Sequence, residues 1–314
     1  MSARTKKIKP WIFWFGGIVV ILGLTLAGIL LIHPRYPSRI GIAIVSNPTI
    51  VFSYDPVRST LLALRIPSDT SVHVMRGYGA YPVSSLWKLD SMDKRGGTIY
   101  TETLEETIGI PVRFFIRPVE EDIGSEKPIE EQMNDVFSLS SCLRLFFSNR
   151  TNIPLWLLLE LSRVVPGLRP TETVFFDFAH ESVFADGTLP DETPRKAIDP
   201  DQLALLLGTY AEDANIRKEN LRIAVYNTTE TSGLAQRVAR ILESTGFHVV
   251  TVANRQVNQL AQCVIQGNQE TLKTHSVQTL RWLYGCSIEG QQDESQSDVT
   301  LIIGSDYEKR FLPF

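Results

Sequence analysis

RIAVYNTTETSGLAQRVARILESTGFHVVTVAN, residues 222–254, reads as one strand, one helix and a second strand. The opening RIAVYN is apolar and β-branched, as a buried strand is. TTETSG then supplies capping residues, with Ser232 the expected N-cap. Leu234, Val238, Ile241 and Leu242 follow at offsets of 4, 7 and 8, the spacing of an amphipathic helix. Gly246 ends that helix and FHVVTVAN returns as a strand, so the three elements predict a right-handed βαβ unit. The turn NTTETSG lacks both GxGxxG and GK[ST], and no nucleotide site follows from it. A second helix at Val277–Tyr284 and a strand at 298–304 complete a small α/β domain over 218–314.

Upstream, 38–212 reads as a larger α/β ectodomain. IGIAIVS and TIVFSYDPVRSTLLALRI are strands, the latter a pair joined at Asp55-Pro56. LRIPSDTSVHV, residues 64–74, turns sharply through Pro67, Ser68, Asp69 and Thr70. A carboxylate at Asp69 can bind a cation and can equally accept backbone N–H bonds in an Asx-turn. TLEETIGIPVRFFIRP predicts a helix ending at Gly109 and a strand over Val112–Ile116. GYGAYPVSS at 77–85, flexible and aromatic, is expected to be a surface loop, with a ligand-lining loop as the alternative, and Glu105-Glu106 and Glu130-Glu131 are expected to be solvated helix faces. Periodicity weakens from 119 to 200, where IPLWLLLELSRVV predicts a buried helix and the proline-rich 185–201 a loop leading to the domain boundary.

The N-terminus carries its own signal. Basic residues 1–10 precede WIFWFGGIVVILGLTLAGILLI, an uncharged run long enough to cross a bilayer. Trp11–Ile32 is therefore expected to be a single transmembrane helix. Four basic residues before it against Arg35 and Arg39 after it place the N-terminus in the cytoplasm and the rest outside. The formal charge is −4, and residues 1–32 hold four cations and no acid, so the remainder carries −8. That acidity, without a DNA-binding motif, argues against nucleic acid as a partner. Outside the cytoplasm disulfides persist, and Cys263 with Cys286 is the expected pair, with Cys142 packing as a small apolar side chain. The five histidines, at 33, 73, 180, 248 and 275, are scattered and form no HExxH motif.

Residues 222–254 together with DVTLIIGSDY resemble the C-terminal domain of LytR-CpsA-Psr cell-envelope proteins. TIVFSYDPVRSTLLALRIPSDTSVHVMRGYG with TLEETIGIPVRFFI is similar to part of the catalytic domain of the same family, which transfers a glycopolymer phosphate from a polyprenyl-pyrophosphate carrier to peptidoglycan. The resemblance implies an IPRDT arginine where this chain has Ser68, an aspartate where it has Pro48, and a lysine after GYG that AYPVSS lacks. Asp69 alone stands at a matching position. Phosphoryl transfer relies on cations to hold spreading negative charge, so one carboxylate without arginine partners opposes a pyrophosphate. The resemblance thus implies a degenerate transferase domain that binds envelope glycopolymer, peptidoglycan or a partner protein. The alternative is an active Mg²⁺-dependent phosphotransferase in which Asp69 holds the metal and Arg65 and Arg76 replace the missing cations.

Overall fold

The computed structural model describes residue 23 and residues 38–118, 128–188, 194–255, 260–290 and 297–312. The expected membrane span falls outside these except at Gly23; among the described residues no helix is long and apolar enough to cross a membrane.

Three antiparallel strands, β1 (Ile40–Ile44), β2 (Thr49–Asp55) and β3 (Thr60–Ile66), form the centre of the larger domain. The side chain of Asp55 accepts from Val57 and Arg58 N–H and so closes the β2–β3 turn. Next come β4 (Ser71–Val74), β5 (Gly79–Pro82), α1 (Leu86–Met92), α2 (Thr98–Ile108) and β6 (Phe114–Ile116). The segment with weak periodicity holds α3 (Ile129–Phe137), α4 (Leu139–Phe147), α5 (Leu155–Val164) and β7 (Thr173–Asp177). β8 (Phe184–Thr188) and β9 (Pro194–Ile198) then pair as an antiparallel hairpin where the sequence suggested a loop, before α6 (Pro200–Leu207). Prolines are compatible with this hairpin because Pro194 opens its strand.

The main sheet has the order β6-β1-β2-β3-β7, with both outer strands parallel to their neighbours. Helices cover both faces, which is why β1–β3 read as nearly unbroken apolar runs. Ala43, Val51, Leu62 and Leu64 pack with Ile99, Tyr100 and Leu104 of α2 and with Leu203 and Leu207 of α6. Ile42, Phe52 and Ala63 face Phe137, Leu145 and Leu158 of α3, α4 and α5, and the Phe52 ring meets Phe137 edge-on at 5.8 Å. Cys142 is fully buried in this second layer, as expected. Gly41 is required by proximity: a Cβ there would lie 1.9 Å from the Pro111 carbonyl.

A small sheet, β5-β4-β9-β8, extends the first layer. Part of the expected GYGAYPVSS loop is thus strand β5, which remains exposed except at its glycine. α2 begins five residues earlier than its sequence signature suggested and is buried along most of its length. Its first N–H groups bond to Asp90 of α1: the carboxylate accepts from Gly97, Ile99 and Tyr100 at 2.7, 2.7 and 3.2 Å. A negative charge is favourable at that end of a helix.

The short α7 (Ala214–Glu219), capped by Asp213, leads into the second domain. This contains β10 (Arg222–Asn227), α8 (Leu234–Thr245), β11 (His248–Asn254), β12 (Val264–Gly267), α9 (His275–Tyr284), β13 (Ser287–Gly290), β14 (Val299–Ile303) and α10 (Ser305–Glu308). Its sheet runs β11-β10-β14-β12-β13, with β10 parallel to both neighbours and the βαβ unit as expected. The capping expectation is corrected: Gly233, left-handed at φ 80°, is the N-cap of α8, and Ser232 sits one residue too early to reach the helix N–H groups. Cys263 and Cys286 form a disulfide with Cα atoms 4.7 Å apart and 23 residues of separation, tying the start of β12 to the start of β13.

Because that crosslink restricts the unfolded chain, reduction with dithiothreitol is expected to lower the stability of the second domain by roughly 3 kcal/mol. Denaturant unfolding with and without reductant measures this, and a Cys263→Ala/Cys286→Ala double variant should reproduce the reduced curve.

Candidate functional site

The turn after β3 sets the position of Asp69. Thr70 N–H bonds to Pro67 O at 3.1 Å, and Ser84 N–H and Val83 N–H reach back to Ser68 O and Thr70 O. Backbone groups therefore close the turn, and of the two roles open to Asp69 the Asx-turn is not the device used. The Asp69 carboxylate is exposed and makes no side-chain bond to any described residue.

Arg65 and Arg76 are each committed elsewhere. Arg65, on β3, bonds to Asp177 on β7 at 3.0 Å, and its guanidinium lies over the Phe175 ring at 5.0 Å. Arg76 sits in the β4–β5 turn with a left-handed backbone, φ 67°. Its side chain bonds to Glu102 on α2 at 3.2 Å and donates to the Lys309 carbonyl, while its N–H bonds to Arg310 O at 3.0 Å. The two arginines thus hold together strands and domains, and no ion pair joins either to Asp69. The donor set at the turn does not fit a bound divalent cation. It offers one carboxylate, and among the described residues no three His, Cys, Asp or Glu side chains are gathered where they could hold a metal.

The charged centre of the molecule lies on the other face of α2. Sequence periodicity put Glu105 and Glu106 on a solvated face; both are buried, at 5% and 7% relative exposure. Glu102 and Glu105 bond to Arg310 at 3.4 and 2.8 Å, and Glu106 to Arg237 and Arg240 at 2.9 and 3.0 Å. These arginines come from α8 and from the segment after α10, so a carboxylate cluster of the first domain is neutralised by the second. Glu131, by contrast, is exposed as expected.

Burial pushes the Glu106 carboxyl above its ordinary value even though Arg240 and Arg237 pull the other way, and Glu102 behaves alike beside Arg310 and Arg76. For Arg310 burial opposes the charge, but Glu105, Tyr307 and Glu102 outweigh it and hold the guanidinium protonated. The contact is extended by backbone groups. Gly109, left-handed at φ 67°, ends α2 and presents its carbonyl to Ser244 Oγ, and the Glu106 carbonyl accepts from Arg240. Arg113 donates to Trp282 O at 2.8 Å and stacks on that indole at 5.4 Å.

The loop before α8 is satisfied internally. Asn227 accepts from Thr229 N–H and donates to Thr231 O, and Glu308 of α10 accepts from both the N–H and the hydroxyl of Thr231 at 3.0 and 2.7 Å. Glu308 thus ties the loop before α8 to α10.

Residues 220–307 match the family described as LytR cell envelope-related transcriptional attenuator. The chain carries a LytR C-terminal domain. No curated protein sequence matches the chain. Among solved structures, the Bacillus subtilis protein yvhJ is 15% identical, with 57% of this chain and 97% of that one covered and a TM-score of 0.40. B. subtilis TagV is 14% identical over 56% and 96%, with a TM-score of 0.39. The LytR-CPS2A-psr family protein YwtF (TagT), solved with bound octaprenyl pyrophosphate lipid, is 13% identical over 57% and 92%, with a TM-score of 0.36.

The entry to the LytR C-terminal domain is also charged. Asp213 accepts from Asn215 and Ile216 N–H and lies 3.2 Å from His275 Nε2 at the start of α9. Glu219 accepts from His275 N–H and from Ser276 N–H and hydroxyl. Burial works against the Asp213 charge, but the bonds from His275 and from the two backbone N–H groups outweigh it and hold this carboxyl below its ordinary value. The bond to Asp213 raises the His275 imidazole, with burial opposing and the charges of Asp213, Glu219 and Asp55 adding.

Two outcomes follow from this geometry. Arg237→Gln/Arg240→Gln strands the buried Glu106 carboxylate without its cations and is expected to reduce stability by about 2 kcal/mol, less than for a fully buried pair because both arginines are partly solvated. Denaturant unfolding reads it, and faster trypsin cleavage between the two domains should accompany it. For His275 the folded-state value is the higher one. Its contribution is therefore complete below the ordinary imidazole range and is lost as pH rises through the raised value. Unfolding free energies across pH 5 to 9 should show that decline in the native protein and not in His275→Gln.

Proposed function

We propose that this chain is an extracytoplasmic cell-envelope protein, held to the membrane by Trp11–Ile32 with its N-terminus in the cytoplasm. In this reading its larger domain is a LytR-CpsA-Psr domain that serves in binding instead of phosphoryl transfer. The observation that carries the reading is the placement of Arg65 and Arg76: one is bonded to Asp177, the other to Glu102 and the backbone of the second domain, and neither to Asp69. A pyrophosphate brought to this turn would meet an exposed carboxylate with no ion-paired cation beside it, the reverse of what stabilises a spreading phosphoryl charge. The ligand class consistent with an envelope location is a glycopolymer, peptidoglycan or an exported partner protein.

The test is Mg²⁺-dependent binding of a short-chain polyprenyl pyrophosphate to the full chain and to Asp69→Ala. The expected result is no Mg²⁺-dependent binding by either protein. Binding that Asp69→Ala loses would establish a pyrophosphate site with rearranged arginines and return the domain to the phosphotransferases.

A further inference from the structure

A chain anchored through Trp11–Ile32 holds one particular end of its larger domain at the bilayer. Five residues, 33–37, separate that span from Ser38, where the described domain begins. Fully extended, this length of chain covers only roughly 20 Å. β1 starts two residues later, and its Ile40 pairs with Tyr54 of β2 in antiparallel register. The β2–β3 turn, Pro56–Ser59, therefore stands level with Ser38 and projects from the same end of the sheet.

A second segment reaches this end. β7 starts here, since its Thr173 pairs in parallel with Leu61 of β3. α5 leads toward it through a 3-10 turn, Val165–Gly167, whose Val165 is buried in the same core layer as Ile40, Tyr54 and Leu61.

Both segments are exposed and basic. Val57 at the turn is 63% exposed, and Arg58 beside it, Arg163 in the last turn of α5 and Arg169 before β7 are exposed as well. None of these three arginines makes an ion pair with a described residue. The acids at this end are otherwise engaged: Asp55 pairs with Arg39 at 3.5 Å, Glu172 accepts from the Arg169 N–H, and Glu160 is half-buried near Tyr54. The charge of this end is opposite to that of the exported part as a whole, which carries −8. An acidic body beside an anionic bilayer is repelled over most of its surface, so a basic end next to the tether sets how the body stands.

We infer that the β2–β3 turn and the α5–β7 connection form a membrane-contact surface for anionic lipid headgroups, with Arg58, Arg163 and Arg169 toward the headgroup phosphates and Val57 at headgroup level. β3 runs away from this surface for seven residues, so the Asp69 turn at its far end stands roughly 20 Å higher and opens toward the cell wall. The contact requires the membrane anchor proposed above and is independent of what the Asp69 turn binds.

Cys142 is buried and Cys263 is bonded to Cys286, so an NBD maleimide reaches only a thiol introduced at the surface. Val57→Cys carries the fluorophore at the contact. Ser148→Cys carries it as a control at the opposite end of the sheet, where Arg150 O accepts from the N–H of Arg117 after β6. The full chain is placed in nanodiscs of equal parts phosphatidylglycerol and phosphatidylcholine that contain nitroxide-labelled lipid. Quenching of the Val57→Cys probe is expected to exceed that of the Ser148→Cys probe, and that of the same probe in phosphatidylcholine alone, by at least about threefold. Arg58→Gln/Arg163→Gln/Arg169→Gln should remove the dependence on lipid charge, and Arg58→Lys/Arg163→Lys/Arg169→Lys should keep it. Equal quenching of the two probes, indifference to lipid charge, a glutamine variant that behaves as the native chain or a lysine variant that behaves as the glutamine one would overturn the contact. Flotation of the full chain with membranes separates the two readings: a chain that floats without these differences keeps its anchor and loses the contact, and one that does not float loses both.

Discussion

Three glutamates on one helix, Glu102, Glu105 and Glu106, are the constraint around which the two domains are arranged. Buried carboxylates require cations, and α2 has none of its own. Arg76 supplies one from the neighbouring turn, and Arg237, Arg240 and Arg310 supply the rest from the LytR C-terminal domain. Burial still raises two of the three carboxyls, so the pairing compensates for desolvation without exceeding it. Such an interface adds little net stability over an apolar one, but it fixes which faces meet, since a slipped arrangement would strand several charges.

The same interface decides what the turn at Asp69 can do. Arg76 is turned toward the second domain by its left-handed backbone and held there by contacts to Glu102, Lys309 and Arg310. Arg65 instead locks β3 to β7 through Asp177 and Phe175. A residue that could have carried anion chemistry has been recruited to assembly in each case.

Legibility in the sequence followed locality. The βαβ unit was readable because its helix period, glycine stop and β-branched return strand all lie within 33 consecutive residues. The disulfide was readable because both cysteines flank one short unit. Residues 119–200 were not, because α3–α5 pack against a sheet made elsewhere and β7 takes its place only by pairing with β3. Glu105 and Glu106 were misread because a helix facing solvent and one facing a charged partner domain show the same charges. The usable signal was the scarcity of any other polar face on TIYTETLEETI. Ser232 was misread because capping chemistry and the left-handed Gly233 compete for one helix end, and backbone geometry won.

β3 meets its partner β7 through a pair 112 residues apart, and Glu105 meets Arg310 across 205. Closing such long loops before any reward is collected makes folding slow and leaves early edges open. A chain that emerges from its N-terminus builds the β1–β3 hairpins and α2 first, then holds an unpaired strand and a row of unneutralised acids until its last helices arrive. Completion of the C-terminal segment therefore acts as a test of integrity: a chain cut short before Arg310 leaves the buried Glu105 without its cation and loosens the contact between the domains, which favours proteolysis.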